Sequence, residues 1–330
     1  MAQQDSIQEA KLDVLFNNVL QFRSSKFYRD MMKMCGKFRH LSPYNTMLVN
    51  MQKPLARYVL KREEWERKYH RQLKPNAQPL IILMPFGPIG YLFEIGDTEP
   101  ENAFFPISDD DILESIARPF RTKRNVHAED IERLMELCAF HGVTFDMSMN
   151  AGVDFGAKIE LLKRPALNRK VAVRKKLFMD LAAPYLISVN KTASSGEQMS
   201  AIVHELGHLF CHHLLPPQGW KPWEVRHLPH NVQEFEAESV AWLICERLNI
   251  GNPSEAYLSD YLDENDMIPN DVSIEAIFHA FSQIWDILRT DKRLSFTNAM
   301  LYNQDPIAKR AFDRLKQKEN QAQVPKRVSF

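Results

Sequence analysis

The chain has 330 residues, of which 45% are hydrophobic and 25% are charged, and its formal net charge is zero. This is the composition of an ordinary globular protein, long enough for one large core or, as we predict, for two domains. The zero balance argues against a protein that binds polyanions over its whole surface. The charges are nevertheless unevenly spread: residues 1–80 have 15 basic and 7 acidic side chains, whereas residues 81–130 have 4 basic and 10 acidic ones.

The cysteines and the apolar stretches indicate where the protein works. The four cysteines lie far apart and form no CxxC pair, which is typical of free thiols in a reducing cytosol rather than of a disulfide scaffold. The N-terminus lacks a basic start followed by an apolar run, and the chain contains no apolar stretch of 18 residues. We therefore expect a cytoplasmic protein that does not span a membrane.

The N-terminal part, residues 1–125, is predicted to be a small α+β domain. Apolar periodicity predicts a helix over residues 6–35, and Pro43 favours a second helix over residues 43–52. A short charged helix over residues 61–69 and two strands over residues 79–84 and 90–95 follow. Residues 100–126 are acidic and then basic and contain three prolines, which predicts a linker with at most a short helix.

Basic and aromatic side chains are interleaved in this N-terminal part. Cations that follow phosphates, together with rings on which bases stack, are what single-stranded nucleic-acid binding requires. A solvated charged face over a core of aromatic residues explains the same pattern. The candidate nucleic-acid-binding residues are Arg39, Tyr44, Lys53, Arg57, Lys61, Arg62 and Trp65.

The second part, residues 126–330, is predicted to start with a helix over residues 129–140. Strands over residues 142–148, 154–161 and 185–190 then build a three-stranded sheet, with residues 185–190 at an edge to which a peptide adds as a further strand. The basic run over residues 163–176 is predicted to be a surface loop. Two helices within residues 253–288 are expected to pack against this domain. The fold class is therefore α+β.

A pattern of two histidines and one glutamate, HELGH, points to a metal site. The helix that carries it is predicted to start at Ser195, with Gln198 in a capping-box pattern, and to run to just before Pro216. His204 and His208 are four residues apart and share one face of this helix, so both imidazoles can reach one ion. The opposite face is apolar: Ile202, Val203, Leu206, Leu209, Phe210 and Leu214.

Glu205 follows the first histidine, which places a carboxylate beside the ion as a general base for the hydrolysis of a peptide bond. Catalytic zinc takes three ligands from the protein, so a third ligand is needed. A second helix over residues 232–248 offers three glutamates. Glu234 and Glu238 share a face, and we assign Glu234 to the metal and Glu238 to a hydrogen bond with a liganding histidine. The reverse assignment stays open, and Glu236 is predicted to be solvated.

HELGHxxxH followed by ExxAES resembles the gluzincin branch of the zincin-type metallopeptidases. His212, eight residues after His204, resembles the ImmA/IrrE-like group and implies a role beside the metal ligands. A resemblance to the ArdC-type antirestriction proteins covers four segments: residues 42–54 (SPYNTMLVNMQKP), the Trp65 segment, residues 79–85 and the helices after residue 252. That resemblance implies a domain that binds single-stranded DNA joined to a zinc metallopeptidase-like domain, which protects incoming DNA in the cytoplasm of a bacterium.

Three functions therefore stay open. The first is a metallopeptidase that uses Zn²⁺, or another divalent metal, to cut a protein or peptide. The second is a single-stranded-DNA-binding antirestriction protein whose metal site is structural or regulatory. The third is a regulator that binds another protein without cutting it.

Overall fold

The computed structural model describes residues 24–54, 56–84, 87–101, 108–117, 124–150, 156–174, 177–218, 223–251, 258–263 and 265–289. The fold is mixed α+β with several small sheets, as predicted. The chain divides into two compact units, one of residues 1–125 and 238–282 and one of residues 126–237 and 283–330. The predicted helical residues 6–23 and 253–257 and the C-terminal residues 290–330 lie outside the described residues.

The first unit combines short helices with two small antiparallel sheets. One sheet has the strand order β1-β4-β3, and the other pairs β2 with β5. Residues 238–282 of this unit include the C-terminal half of a long helix and about half of the last one. The elements before residue 118 are α1 (Ser25–Lys37), α2 (Pro43–Gln52), β1 (Val59–Leu60), α3 (Arg62–Tyr69), β2 (Arg71–Leu73), β3 (Leu80–Met84), β4 (Gly87–Glu94), β5 (Thr98–Pro100) and α4 (Asp109–Ala117).

The second unit places one helix and a three-stranded sheet before the HELGH segment. The remaining elements of the chain are α5 (Ala128–Cys138), β6 (Val143–Met149), β7 (Ala157–Arg174), β8 (Leu177–Asn190), α6 (Ser195–Phe210), α7 (His230–Leu248) and α8 (Ile274–Arg289). None of the helices in the described part of the chain is long and apolar enough to cross a membrane.

The sheet of the second unit differs from the prediction in two respects. Its order is β6-β8-β7, so the segment over residues 185–190 lies in the central strand and not at an edge; the strand beside it, β7, is an edge strand. The basic run over residues 163–176 is not a surface loop, because most of it pairs with β8 in a long antiparallel hairpin. The loop was predicted from the net charge of this segment, but net charge does not report whether a backbone pairs with a neighbouring strand.

Helix α6 begins at Ser195, as predicted, but it ends several residues earlier than predicted and its cap lies one position before the predicted one. Its N-cap is Ser194, whose hydroxyl accepts from the backbone N–H of Glu197 while the carboxylate of Glu197 accepts from the backbone N–H of Ser194. The predicted capping pair, Ser195 and Gln198, is therefore wrong by one position. The apolar face packs into the core as expected, with Ile202 and Leu206 fully buried.

The C-terminal end of α6 is a Schellman turn. The backbone N–H of His213 donates to the carbonyl of His208 (3.0 Å), and the N–H of His212 donates to the carbonyl of Leu209 (3.2 Å). His212 has a φ of 62°, the left-handed conformation that such a turn requires. The chain therefore reverses after Cys211 and does not continue helically to Pro216.

Gly207 allows α6 and α7 to lie close together. A Cβ atom at this position would lie 3.0 Å from both the Cα and the carbonyl oxygen of Ala237 on α7. Only a glycine leaves room for that backbone, so this residue of the HELGH pattern sets the distance between the two helices.

Candidate metal centre

Two histidines of α6 and one glutamate of α7 bring three ligand atoms together. The Nε2 atoms of His204 and His208 lie 3.2 Å apart. The two carboxylate oxygens of Glu234 lie 3.3 Å from the Nε2 of His204 and 3.4 Å from the Nε2 of His208. The three side chains are between 12% and 18% exposed, so the group is reached from one side.

The size of this triangle fits a zinc ion. Ligand atoms about 2.0–2.1 Å from a tetrahedral ion lie about 3.3–3.4 Å from each other. The two imidazole nitrogens lie 3.2 Å apart, and each lies 3.3 or 3.4 Å from one of the two carboxylate oxygens, which is close to that value. Two imidazoles and one carboxylate are also a donor set found in catalytic zinc sites, which keep a fourth position open. The residues present therefore fit the metal that the sequence predicts.

The protonation states of the triangle also suit a cation. Burial lowers the pKa of His208, which favours the neutral imidazole that a metal requires. Burial alone would raise the pKa of Glu234, but the two histidines beside it outweigh burial and lower it. Glu234 is therefore an anion beside two rings that can offer nitrogen lone pairs.

Glu205 lies next to the triangle and is buried. Its Oε2 accepts a hydrogen bond of 2.8 Å from the backbone N–H of Ile159 on the edge strand β7. Burial raises the pKa of this carboxyl to about 7, against the lowering effects of His204 and of that hydrogen bond. A carboxyl with this pKa can both accept and release a proton near neutral pH.

Two buried residues that sequence reasoning did not assign to the site support His208. The Nδ1 of His213 lies 3.0 Å from the Nδ1 of His208, and the Nε2 of His213 lies 2.9 Å from Oε2 of Glu236. Glu236 is fully buried, which corrects the prediction that it is solvated, and it forms a two-point ion pair with Arg226. Sequence reasoning missed His213 because no glycine follows Phe210 to mark the end of the helix.

His212 and Glu238 are the two residues that the sequence predicted to lie beside the metal ligands. The ring of His212 stacks on Trp223, with the ring centroids 5.5 Å apart, and it is the next residue that contacts His208. Glu238 is buried one turn after Glu234 on α7. Its hydrogen bond to a liganding histidine stays a prediction.

The structure changes the expectation for two of the predicted nucleic-acid-binding residues. Trp65 is fully buried and its indole N–H donates to the carbonyl of Phe93 (2.9 Å), so its ring cannot stack on a base. The guanidinium of Arg39 donates to the carbonyls of Glu246 (2.6 Å) and Arg247 (2.9 Å). The prediction that Trp65 stacks on a base is therefore wrong, because this tryptophan belongs to a hydrophobic core. The guanidinium of Arg39 forms its hydrogen bonds within the first unit.

The remaining basic candidates lie mostly in ion pairs on the surface of the first unit. Lys53 pairs with Asp97 at 2.9 Å, and Arg62 pairs with Glu66 at 2.7 Å. Arg57 pairs with Asp109 at 2.8 Å. Lys61 is exposed directly before α3, and Tyr44 is half-buried on α2.

A comparison with known protein families gives a match that covers the candidate metal centre. Residues 158–244 match the IrrE N-terminal-like domain of the Peptidase_M78 family. The matched stretch begins in β7, includes α6 and ends in α7, so it contains every residue of the triangle. It supports a zincin-like metallopeptidase domain in this part of the chain. Searches of curated proteins and of solved structures gave no match.

Proposed function

We propose that this protein is a zinc-dependent metallopeptidase in which His204, His208 and Glu234 hold the ion and Glu205 is the general base. The observation that carries the proposal is the close approach of the two imidazole nitrogens to each other (3.2 Å) and to the carboxylate oxygens of Glu234 (3.3 and 3.4 Å), beside a buried carboxyl. Each of the two imidazoles and the carboxylate can offer a lone pair, and their atoms lie at distances that allow one ion to bind all three side chains.

The reaction follows from the positions of the side chains. Zinc, when bound, polarises the carbonyl of the peptide and makes a water molecule a stronger acid. Glu205 accepts one proton from the attacking water as the new C–O bond forms, and it passes that proton to the amine as the C–N bond breaks. In the metal-free protein, burial raises the pKa of Glu205 to about 7, so this carboxyl is not a strong acid.

Strand β7 offers a place for the substrate. It is an edge strand of its sheet, and the N–H of Ile159 faces Glu205 instead of the paired strand β8. A peptide that adds to this edge by backbone hydrogen bonds would lie beside Glu205. The substrate edge is therefore β7, which replaces the edge predicted at residues 185–190.

Cleavage of a peptide library derived from a bacterial proteome, read by mass spectrometry, tests the proposal. Zinc-loaded protein is expected to produce new peptide ends, and Glu205→Gln is expected to keep zinc but to cut at least about 100-fold more slowly. Glu197→Gln, a change of the same kind in the first turn of the same helix, is the matched control and is expected to cut normally. Undiminished cleavage by Glu205→Gln would disprove the assigned base.

The resemblance to the ArdC-type antirestriction proteins stays a prediction. Binding of single-stranded DNA by residues 1–125, an ArdC-type antirestriction role and a cytoplasmic location rest on the sequence alone. A gel shift with short single-stranded DNA at several salt concentrations tests the first of these, because contacts to phosphates weaken as salt rises. No shift at the lowest salt concentration would eliminate it.

A further inference from the structure

A buried series of side chains leads away from the metal centre. His208 contacts His213 through the two Nδ1 atoms (3.0 Å), and the Nε2 of His213 contacts Glu236 (2.9 Å). The second oxygen of Glu236 accepts from Arg226 at 2.8 Å. The side chain of His213 is 1% exposed and that of Glu236 is 0% exposed, so water does not compete for these contacts.

The Schellman turn at the end of α6 makes the series possible. On a continuous helix, two residues five positions apart lie on different faces, so the ring of His213 would point away from the ring of His208. The left-handed backbone of His212 turns the chain back, so that the ring of His213 returns to the ring of His208. Glu236 comes from α7, two residues after Glu234, so one helix supports the metal triangle at two points.

The positions of the protons follow from the one group that can only accept. Arg226 holds Glu236 as a carboxylate, which accepts but does not donate. In its neutral form His213 therefore carries its single proton on Nε2, which leaves a lone pair on its Nδ1. That lone pair accepts a hydrogen bond from the Nδ1–H of His208, and the Nε2 of His208 is left with a lone pair that faces His204 and Glu234.

We infer that His213 is a positioning residue which, with Glu236 and Arg226, fixes the ring and the tautomer of His208 before a metal ion binds. This inference rests on the proposed metal site and goes beyond it. Without such support, a neutral imidazole can place its single proton on either nitrogen, and the Nε2–H tautomer cannot bind the ion. The preset tautomer removes that step from metal binding.

The alternative hypothesis is that His213 and Glu236 bind a second metal ion. Ligand atoms of Cys211, His213 and Glu236 lie within 4.8 Å of one another, and all three residues are buried. Arg226, however, already binds both oxygens of Glu236, and burial raises the pKa of the Cys211 thiol well above its usual value. A cation and a guanidinium do not share one carboxylate in a buried site without strong repulsion.

The tautomers can be read directly by ¹⁵N–¹H correlation of the histidine rings in metal-free protein. The spectrum is recorded at about pH 8.5, two units above the ordinary histidine pKa, where a free imidazole is neutral. The expected result is an Nε2–H tautomer for His213 and an Nδ1–H tautomer for His208. An Nε2–H tautomer of His208 would overturn the inference. Because this spectrum needs neither zinc nor a variant, it decides the matter even if the proposed metal site is wrong.

Zinc affinity, measured by competition with a chromophoric chelator, adds the functional readout. His213→Phe fills the same space without a nitrogen, and we expect it to bind zinc about 10–100-fold more weakly and to return His208 to a mixture of tautomers. The matched control is His212→Asn, which removes the neighbouring imidazole and tolerates the left-handed backbone. It is expected to change neither quantity. Equal affinity in wild type and His213→Phe, or two zinc ions per wild-type chain, would contradict the inference.

Discussion

Gly207→Ala is expected to damage both the stability of the protein and its metal site, although alanine is the better helix former. The added Cβ would lie 3.0 Å from the Cα and the carbonyl oxygen of Ala237, which is closer than an ordinary contact, and both are backbone atoms that cannot rotate away. Helix α7 must therefore shift by several tenths of an ångström, and it carries Glu234.

The magnitude can be worked from a matched glycine on the same helix. Gly196 has nothing within 4 Å of its would-be Cβ, so Gly196→Ala is expected to gain up to about 1 kcal/mol in the free energy of unfolding. Gly207→Ala gains the same intrinsic term but loses about 1–3 kcal/mol to overpacking. The two variants should therefore differ by about 1–3 kcal/mol, with Gly207→Ala the less stable.

Urea denaturation of the metal-free protein measures this difference, and chelator competition measures the zinc affinity of both variants. Gly207→Ala is expected to bind zinc more weakly than wild type, whereas Gly196→Ala should bind it normally. If both variants are stabilised equally and bind zinc equally well, the close approach of α6 and α7 is not what requires glycine in the HELGH pattern.

Two further predictions concern the supports of α6. The ring of His141 packs against Phe210, and burial lowers its pKa from 6.5 to about 4. The unfolded chain therefore binds the proton more readily, and stability falls as pH drops from about 6.5 to about 4, by at most about 3 kcal/mol. His141→Phe should flatten this part of the stability profile, measured by urea denaturation at a series of pH values; an unchanged slope would rule out the buried imidazole as its source. Ser194→Ala removes the cap of α6 and should cost about 1 kcal/mol in the free energy of unfolding, whereas Ser195→Ala, one position later, should cost little; equal losses would show that the cap does not lie at Ser194.

The sequence was informative where a pattern has one geometric meaning. Two histidines at i and i+4 must share a helical face, so the neighbourhood of His204 and His208 could be predicted before the fold was known. The helical spacing also grouped Glu234 with Glu238 and set Glu236 apart, and the structure brings Glu234 to the histidines. Hydrophobic periodicity placed the buried face of α6 correctly.

Other features depend on contacts that no local pattern reveals. A helix end is usually marked by glycine, and here His212 adopts the left-handed conformation instead, so the helix was extended and His213 was overlooked. The burial of Glu236 depends on Arg226, ten residues earlier in a loop. The rings and cations of the first unit looked like a nucleic-acid surface, but Trp65 is used in its core.

The most direct test of the account is the zinc content of purified protein after dialysis, measured by mass spectrometry for wild type, Glu234→Gln and Glu238→Gln. We predict about one zinc ion per chain in wild type and in Glu238→Gln, and a large loss in Glu234→Gln, because catalytic zinc takes three ligands from the protein. A wild-type protein without zinc would contradict the central claim. A variant pair with the opposite pattern would move the third ligand to Glu238.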